Sequence, residues 1–223
     1  EILRCLVGSE MCIRDSACAE HLLERGVKGI IIACNTATSA ACKIMRGMYP
    51  DLPLVGIEPA VKPAAQNHRG EKVAVMATPL TLHEEKFKQL VKRYENLATI
   101  IPVPCPDLVE YVEKGILEGP ELEGYLKGVL TPCLQEGVKA VVLGCTHFPL
   151  VKAAIGKVVG ESVRIYDGGE GTARQAKCLL AAKNLCTDQE KGHICFESSA
   201  PEKEAYYEAL YRKAAHIDSR VKL

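Results

Sequence analysis

Short apolar runs alternate with amphipathic stretches along most of the chain. The runs at 27–33 and 138–143 each contain one lysine near the start and no other charged residue, a pattern typical of strands buried on both faces of a parallel sheet. The amphipathic stretches between such runs have the length of ordinary helices. The predicted strands are 27–33, 54–57, 72–77, 98–103, 138–143, 163–166 and 193–196, and the predicted helices are 17–26, 38–49, 81–94, 106–118, 120–136, 171–183 and 201–214.

This alternation predicts a parallel α/β fold. The chain has no low-complexity linker, so we place the domain boundaries at turns, near Glu58-Pro59 and near Asp167 to Gly169. We predict two pseudo-symmetric parallel-sheet α/β domains with the active site in the cleft between them. The first would consist of residues 1–58 and 169–223, and the second of residues 59–168.

The two most apolar strands belong to an internal repeat. Residues 26–36 resemble residues 137–147, and each unit runs from a helix-ending glycine through a strand and a small residue to a cysteine followed by polar residues. Ligands of parallel α/β sheets bind beyond the carboxyl ends of the strands. We therefore expect Cys34 and Cys145 to face one cleft from opposite walls.

A matched pair of thiols suits the inversion of a stereocentre by proton transfer. One group must remove a proton from one face while the other donates to the opposite face, and the roles exchange in the reverse direction. Neighbouring groups can tune a thiol toward neutrality, and helix N-termini after each cysteine can bind a carboxylate. A single cysteine that ends a buried strand more often belongs to the core, but the duplication of its surroundings favours a functional pair.

Composition excludes several functional classes. Charge is balanced at 28 basic and 28 acidic residues, without a basic run, and no apolar stretch approaches the length of a spanning helix. We therefore predict neither a nucleic-acid nor a membrane partner. The eleven cysteines include no CxxC pair, which favours free thiols in a reducing cytoplasm. No dinucleotide or metal motif and no signal peptide is visible, so we predict no cofactor and no metal.

Two motifs resemble the signatures of the glutamate racemase family, namely 33–37 (AlaCysAsnThrAla) and 143–149 (LeuGlyCysThrHisPhePro). The resemblance covers about residue 17 to the C-terminus. Phe148 stands where the family usually has tyrosine. Four further segments support the resemblance to the family: 56–60, 76–81, 105–115 and 167–174.

The resemblance implies an isomerase that interconverts L- and D-glutamate without a cofactor and supplies D-glutamate for peptidoglycan and cell-wall synthesis in the cytoplasm. By position, Cys34 and Cys145 are the catalytic thiols, His147 assists Cys145, and Glu113 pairs with His147. A homodimer is left open. The residues implied to bind the substrate are Asn35, Thr36, Thr78, Thr81 and Thr146.

The start of the chain departs from this family. The family begins with a strand and an Asp-Ser-Gly-Val-Gly-Gly motif, and it carries a Pro-Tyr-Gly motif before the first cysteine. Only 33 residues precede Cys34 here, and neither motif is among them. We interpret residues 1–16 as foreign to the family. We accordingly expect the chain as written to lack the first strand and the acid that assists Cys34, and to be inactive.

Three alternatives remain from the sequence. The first is a racemase that acts on aspartate or another acidic amino acid. The second is a cysteine hydrolase with Cys145 as nucleophile and His147 as base, which leaves Cys34 unexplained. The third is a truncated, inactive domain that binds an acidic ligand. Exchange of solvent deuterium into the α-carbon of glutamate discriminates a racemase from the other two classes.

Overall fold

The computed structural model describes residues 8–189 and 192–220 and confirms a parallel α/β fold. The strands are β1 (Ile30–Ile32), β2 (Leu54–Gly56), β3 (Lys72–Ala77), β4 (Thr99–Pro104), β5 (Ala140–Leu143) and β6 (Arg164–Asp167). The helices are α1 (Gly8–Glu24), α2 (Asn35–Met48), α3 (Val61–Asn67), α4 (Pro79–His83), α5 (Glu85–Tyr94), α6 (Leu108–Glu113), α7 (Pro120–Gln135), α8 (Lys152–Val159), α9 (Gly169–Ala182) and α10 (Glu204–Arg220).

The described strands form two parallel sheets. β1 and β2 make a two-stranded sheet, and the other four strands are ordered β4-β3-β5-β6. In the larger sheet Val73 pairs with Ile100 on one side and with Ala140 on the other. The assignment of residues to two domains stays a prediction.

The larger sheet is covered on both faces. Side chains from α6, α7 and α8 pack with Met76 and Val141 on one face, and α3 and α5 cover Val75 and Val142 on the other. All four of these strand residues are fully buried. Burial on both faces accounts for the continuous apolar runs that predicted β3 and β5.

The smaller sheet is covered by α1 and α2, with Ala19, Ile30 and Met45 in a separate core. β1 lies at the edge of this sheet, and the side chain of Ile31 is 47% exposed. Beside it runs a groove of about 460 Å³ whose lining includes Val27, Leu180 and Leu185. The strand predicted over 27–33 is shorter in the structure: the three residues of β1 pair with β2 alone among the described strands.

Four predicted elements need correction. Residues 193–196 form no strand. The adjacent Glu197 instead pairs with His21 and with Arg25 of the first helix and its end, at 2.7 Å each. α1 begins at Gly8 rather than at residue 17. The helix predicted over 81–94 is broken at Glu84, whose backbone is extended.

The fourth correction concerns the helix predicted over 106–118, which ends at Glu113. Gly115 has φ +72°, a left-handed conformation that ends helices and favours glycine. Two short helices, α3 and α8, were not predicted, and neither was the 3₁₀ turn Phe148–Val151 that leads into α8. Within the described ranges, no helix is long and apolar enough to cross a membrane.

Candidate active site

The two cysteines of the repeat occupy equivalent places in the two sheets. Cys34 follows β1 and is the residue from which α2 begins, and Cys145 follows β5 after Gly144. The side chain of Cys34 is exposed, whereas that of Cys145 is partly buried. No side chain caps the first turn of α2, and that turn has no acidic residue, so its positive end is free to attract an anion.

A hydrogen bond joins the surroundings of the two cysteines. The Nδ2 of Asn35, next to Cys34, donates to the carbonyl of Gly144, next to Cys145, at 2.8 Å. The Oδ1 of Asn35 is buried and has no partner among the described residues. Because a buried acceptor without a partner is costly, this oxygen is suited to accept a hydrogen bond from a ligand.

The predicted threonines fall into two groups. The hydroxyls of Thr36 and Thr81 lie 3.3 Å apart, and those of Thr78 and Thr81 lie 3.0 Å apart. Thr78 also accepts from the backbone N–H of Thr81, as the cap of a helix does. Thr146, by contrast, follows Cys145 and hydrogen-bonds its thiol. The three threonines from α2 and α4 therefore form one cluster, and Thr146 stands beside the second thiol.

A chain of polar contacts extends behind Cys145. Its Sγ lies 3.8 Å from Nδ1 of His147, and Nε2 of His147 lies 2.7 Å from Oε1 of Glu113. Glu113 is the last residue of α6, which the larger core holds against the sheet. A carboxylate in this place fixes the orientation of the imidazole toward the sulfur.

Burial raises the pKa of the Cys145 thiol, and the nearby Cys34 raises it further. The backbone N–H groups of His147 and Thr146 and the Thr146 hydroxyl oppose this shift in pKa without cancelling it. The pKa of Cys145 therefore stays above its ordinary value in the free protein, because desolvation outweighs the hydrogen bonds.

A cavity of about 170 Å³ opens beside Asn35, Thr36 and Thr81. Its lining also includes Arg93 and the pair of Lys86 with Glu58, whose charged atoms lie 3.2 Å apart. The sequence did not single out these three charged residues as parts of a site. Lys86 and Arg93 lie in a predicted helix with many charged residues, and Glu58 lies in a predicted turn. The sequence pattern therefore did not distinguish these three residues from ordinary solvent-exposed side chains.

No group of three or more His, Cys, Asp or Glu side chains suited to a metal ion occurs within residues 8–189 and 192–220. The polar groups beside the two cysteines are instead donors, acceptors and proton carriers.

Residues 13–176 match the family model described as Asp/Glu/hydantoin racemase. The chain belongs to this racemase family. Its members include a glutamate racemase of Clostridium perfringens, which is 45% identical over 185 residues that cover 82% of this chain and 71% of the relative. A glutamate racemase of Clostridium novyi is 47% identical over 176 residues, which cover 78% of this chain and 68% of that protein. Membership of this racemase family makes the protein an isomerase that acts on amino acids.

Solved structures of the racemase family share the fold. Escherichia coli glutamate racemase, in complex with L-glutamate and the activator UDP-MurNAc-ala, matches with a TM-score of 0.78 and 29% identity over 92% of this chain and 79% of that one. The Francisella tularensis enzyme, in complex with D-glutamate, matches with a TM-score of 0.67 and 26% identity over 82% of this chain and 68% of that one. The predicted resemblance to glutamate racemases is thus confirmed.

Proposed function

We propose that the protein racemises glutamate by a two-thiol, cofactor-free proton transfer. The observation that carries the proposal is the placement of Cys34 and Cys145 at the ends of equivalent strands, joined through the Asn35 to Gly144 hydrogen bond. Glutamate as the substrate is supported by the relatives, which are glutamate racemases, and by related structures that contain L-glutamate or D-glutamate.

The reaction transfers one proton at a time. For one enantiomer, a thiolate at Cys34 removes the α-proton, and the carbanion is then protonated on its opposite face by the thiol of Cys145. The C–H bond that breaks gives its electron pair to the α-carbon, and the new C–H bond uses that same pair. Cys34 ends protonated and Cys145 ends as the thiolate, which is the state required for the other enantiomer. The raised pKa of Cys145 suits it to hold the donated proton at the start.

The substrate is held by the polar groups around this pair. We assign one carboxylate to the N-terminus of α2, with the hydroxyls of Thr36, Thr78, Thr81 and Thr146 as further partners. The orphaned Oδ1 of Asn35 accepts from the substrate ammonium group. The carbanion develops next to this carboxylate, so donors fixed in advance stabilise the charge where it appears.

His147 and Glu113 support Cys145. Nδ1 of the His147 imidazole contacts the Cys145 thiol, and the Glu113 carboxylate holds the imidazole in place. This pair stabilises the thiolate left after Cys145 has donated its proton. Neither residue contacts Cys34 in the described hydrogen bonds, so their effect belongs to one side of the reaction.

The biological role that accompanies this chemistry is the supply of D-glutamate for peptidoglycan, in the cytoplasm. The proposal requires neither a nucleic acid nor a membrane as partner, and it leaves a homodimer open.

One observation favours a second candidate. Cys145, His147 and Glu113 form a nucleophile, base and orienting acid of the kind that cysteine hydrolases use. The orienting group, which the sequence alone did not reveal for a hydrolase, is therefore present. A hydrolase gives Cys34 and the first half of the repeat no role, however, and the racemase family match includes both halves.

The experiment is an assay in deuterated water with L-glutamate, L-aspartate and glutamine as separate substrates, on a chain whose residues 1–16 are replaced by the corresponding segment of a relative. The proposal predicts D-glutamate that carries deuterium at its α-carbon. Preferential formation of D-aspartate would assign the protein to the sibling specificity, and release of ammonia from glutamine without α-deuteration would favour the hydrolase. Dialysis against a chelator beforehand should leave the rate unchanged, and dependence on added pyridoxal phosphate would contradict the cofactor-free mechanism.

A further inference from the structure

The end of α6 is held from a distant part of the chain. A helix ends with carbonyls that have no partner inside the helix. Two of these carbonyls accept hydrogen bonds that are typical of a glycine-terminated helix. The Gly115 N–H donates to the Val112 carbonyl at 2.8 Å, and the Ile116 N–H donates to the Tyr111 carbonyl at 2.9 Å. The carbonyls of Glu113 and Gly115 are not used by these bonds.

The carbonyls of Glu113 and Gly115 accept from side chains of α10. The hydroxyl of Tyr206 donates to the carbonyl of Glu113, and Nζ of Lys213 donates to the carbonyl of Gly115 at 2.8 Å. A Cβ added at Gly115 would lie 3.5 Å from the Tyr206 hydroxyl, so this hydroxyl lies close to the turn. Two side chains two turns apart on one helix thus cap a single helix end more than 90 residues earlier in the sequence.

α10 is itself anchored in the larger core. Leu210, midway between the two capping residues, is buried with Phe148 in that core. α10 also packs against the 3₁₀ turn Phe148–Val151, which begins immediately after His147. The same helix therefore contacts the segment that carries Glu113 and the segment that follows His147.

We propose that Tyr206 is a positioning residue for Cys145: by holding the last turn of α6, it keeps the Glu113 carboxylate behind His147 and His147 on the thiol. The proposal rests on the proposed role of Cys145 in proton transfer. Tyr206 touches none of the reacting groups and is 42% exposed, so neither the substrate nor the core explains why its hydroxyl is directed at this one carbonyl.

The test follows the alkylation of Cys145 by iodoacetamide as a function of pH in the full chain. Trypsin releases Cys145 in peptide 140–152, which contains no other cysteine, so mass spectrometry gives its rate alone. The titratable groups that face this thiol are Cys34, which raises its pKa, and His147, which lies against it with Glu113 behind; Cys145 in turn raises the pKa of Cys105. The midpoint of the profile reports how readily the thiol ionises, and the plateau at high pH reports how accessible it is.

Tyr206→Phe removes only the hydroxyl. We expect its midpoint to move to higher pH, with labelling near neutral pH slowed roughly threefold to tenfold and the plateau unchanged, since one hydrogen bond behind a charged pair is lost. Tyr211→Phe is the matched control, because Tyr211 lies on the same helix, is exposed and contacts only the ring of Phe196 among its described contacts. Its profile should equal that of the unmodified chain.

Coupling to Glu113 separates positioning from a general structural effect. Glu113→Gln should shift the midpoint in the same direction, and the double variant with Tyr206→Phe should shift it no further. Lys213→Met, a surface change that leaves the fold intact, should give a smaller shift of the same sign. A changed plateau with an unmoved midpoint, or additive shifts in the double variant, would overturn the proposal.

Racemisation by the same variants, made in a chain whose residues 1–16 are replaced by the corresponding segment of a relative, distinguishes this proposal from the proposed function. A shifted midpoint in a protein that forms no D-glutamate would remove the function and keep the role of Tyr206 in holding His147. Racemisation with an unshifted midpoint would keep the function and overturn the role of Tyr206.

Discussion

At the scale of single residues, the two thiols differ in environment although their sequence surroundings repeat. Cys145 is partly buried and backed by His147 and Glu113, whereas Cys34 is exposed at the start of α2. The repeat predicted both positions because the strand, the small residue and the cysteine are local in sequence. It could not predict the unequal burial, which arises from the elements that pack over each strand end.

Removal of either thiol should abolish racemisation. In a chain whose residues 1–16 are replaced by the corresponding segment of a relative, we expect Cys34→Ala and Cys145→Ala to lower kcat by at least about 10²-fold in both directions, because each proton transfer needs its own acid or base. The control is Cys178→Ala, an exposed position on α9 away from the site, which should retain activity and stability. Near-normal racemisation by either single variant would exclude the two-thiol mechanism.

His147→Asn should affect the two directions unequally. Only the step at Cys145 loses support, so kcat should fall roughly tenfold in one direction, which corresponds to about 1.4 kcal/mol, and less in the other. The ratio of kcat/KM in the two directions cannot change, because it is fixed by the equilibrium constant; KM must therefore shift with kcat. Equal losses of kcat in both directions would contradict a role on one side.

Cys105 gives a prediction on pH and stability. Burial raises its pKa to about 12, with smaller contributions from Cys145 and Cys133. The folded protein therefore keeps this proton above about pH 9, where the unfolded chain loses it, and stability must fall as pH rises from about 9 to 12. From about pH 8 to 10 the free energy of unfolding should fall by roughly 1.4 kcal/mol more in the unmodified chain than in Cys105→Ala. Urea titrations at both pH values measure this difference, and parallel losses in the two proteins would disprove it.

At the scale of elements, the strands that are buried on both faces were predicted most accurately from the sequence. β3 and β5 were found nearly in full because neighbours on both faces impose an unbroken apolar run. The segment 193–196 has a similar composition but pairs with no strand among the described residues. α3 and α8 were missed because a helix of seven or eight residues provides only two turns of pattern.

Contacts between distant elements were beyond prediction in the site as well. The repeat and the resemblance placed Cys34, Cys145, His147 and Glu113, but the Asn35 bond to Gly144 joins residues 109 positions apart. No local pattern specifies which helix end a side chain will cap, so the contact of Tyr206 with Glu113 was not expected either.

Gly144 holds β5 and Cys145 close to β3. A Cβ at this position would lie 2.7 Å from the carbonyl oxygen of Met76, and backbone cannot move aside as a flexible side chain can. Gly144→Ala should therefore destabilise the protein by about 1–3 kcal/mol and lower kcat by displacing the thiol. Gly128→Ala on α7 is the control: a Cβ there meets nothing within 4 Å, so stability should rise by about 0.4–1 kcal/mol. Equal melting temperatures for the two variants would contradict the close approach.

At the scale of the whole molecule, the smaller sheet is the less complete of the two. β1 presents an edge beside an apolar groove, and Ile31 is half exposed there. Asp15 on α1 has a buried oxygen, Oδ2, without a partner among the described residues, and burial raises its pKa. The interpretation that residues 1–16 are foreign to the family stays a prediction, and the family match, which begins at residue 13, includes the last four of them.

Replacement of residues 1–16 by the corresponding segment of the Clostridium perfringens relative tests this interpretation. We expect the replaced chain to melt at a higher temperature and to form D-glutamate, since a strand paired with β1 would cover its apolar edge. The chain as written should melt lower and racemise at least about 10²-fold more slowly, because its substrate is held on fewer sides. Comparable activity and melting temperatures in the two proteins would show that residues 1–16 are native and functional.

The central claim is that two thiols act on opposite faces of one carbon. The measurement that tests it most directly is the isotope content of both enantiomers at low conversion, with L-glutamate and the replaced chain in deuterated water. Two opposed thiols predict a D-glutamate product that carries solvent deuterium at its α-carbon while the remaining L-glutamate stays unlabelled. Retention of the original proton in the product, or equal labelling of product and remaining substrate, would indicate a single base and contradict the account.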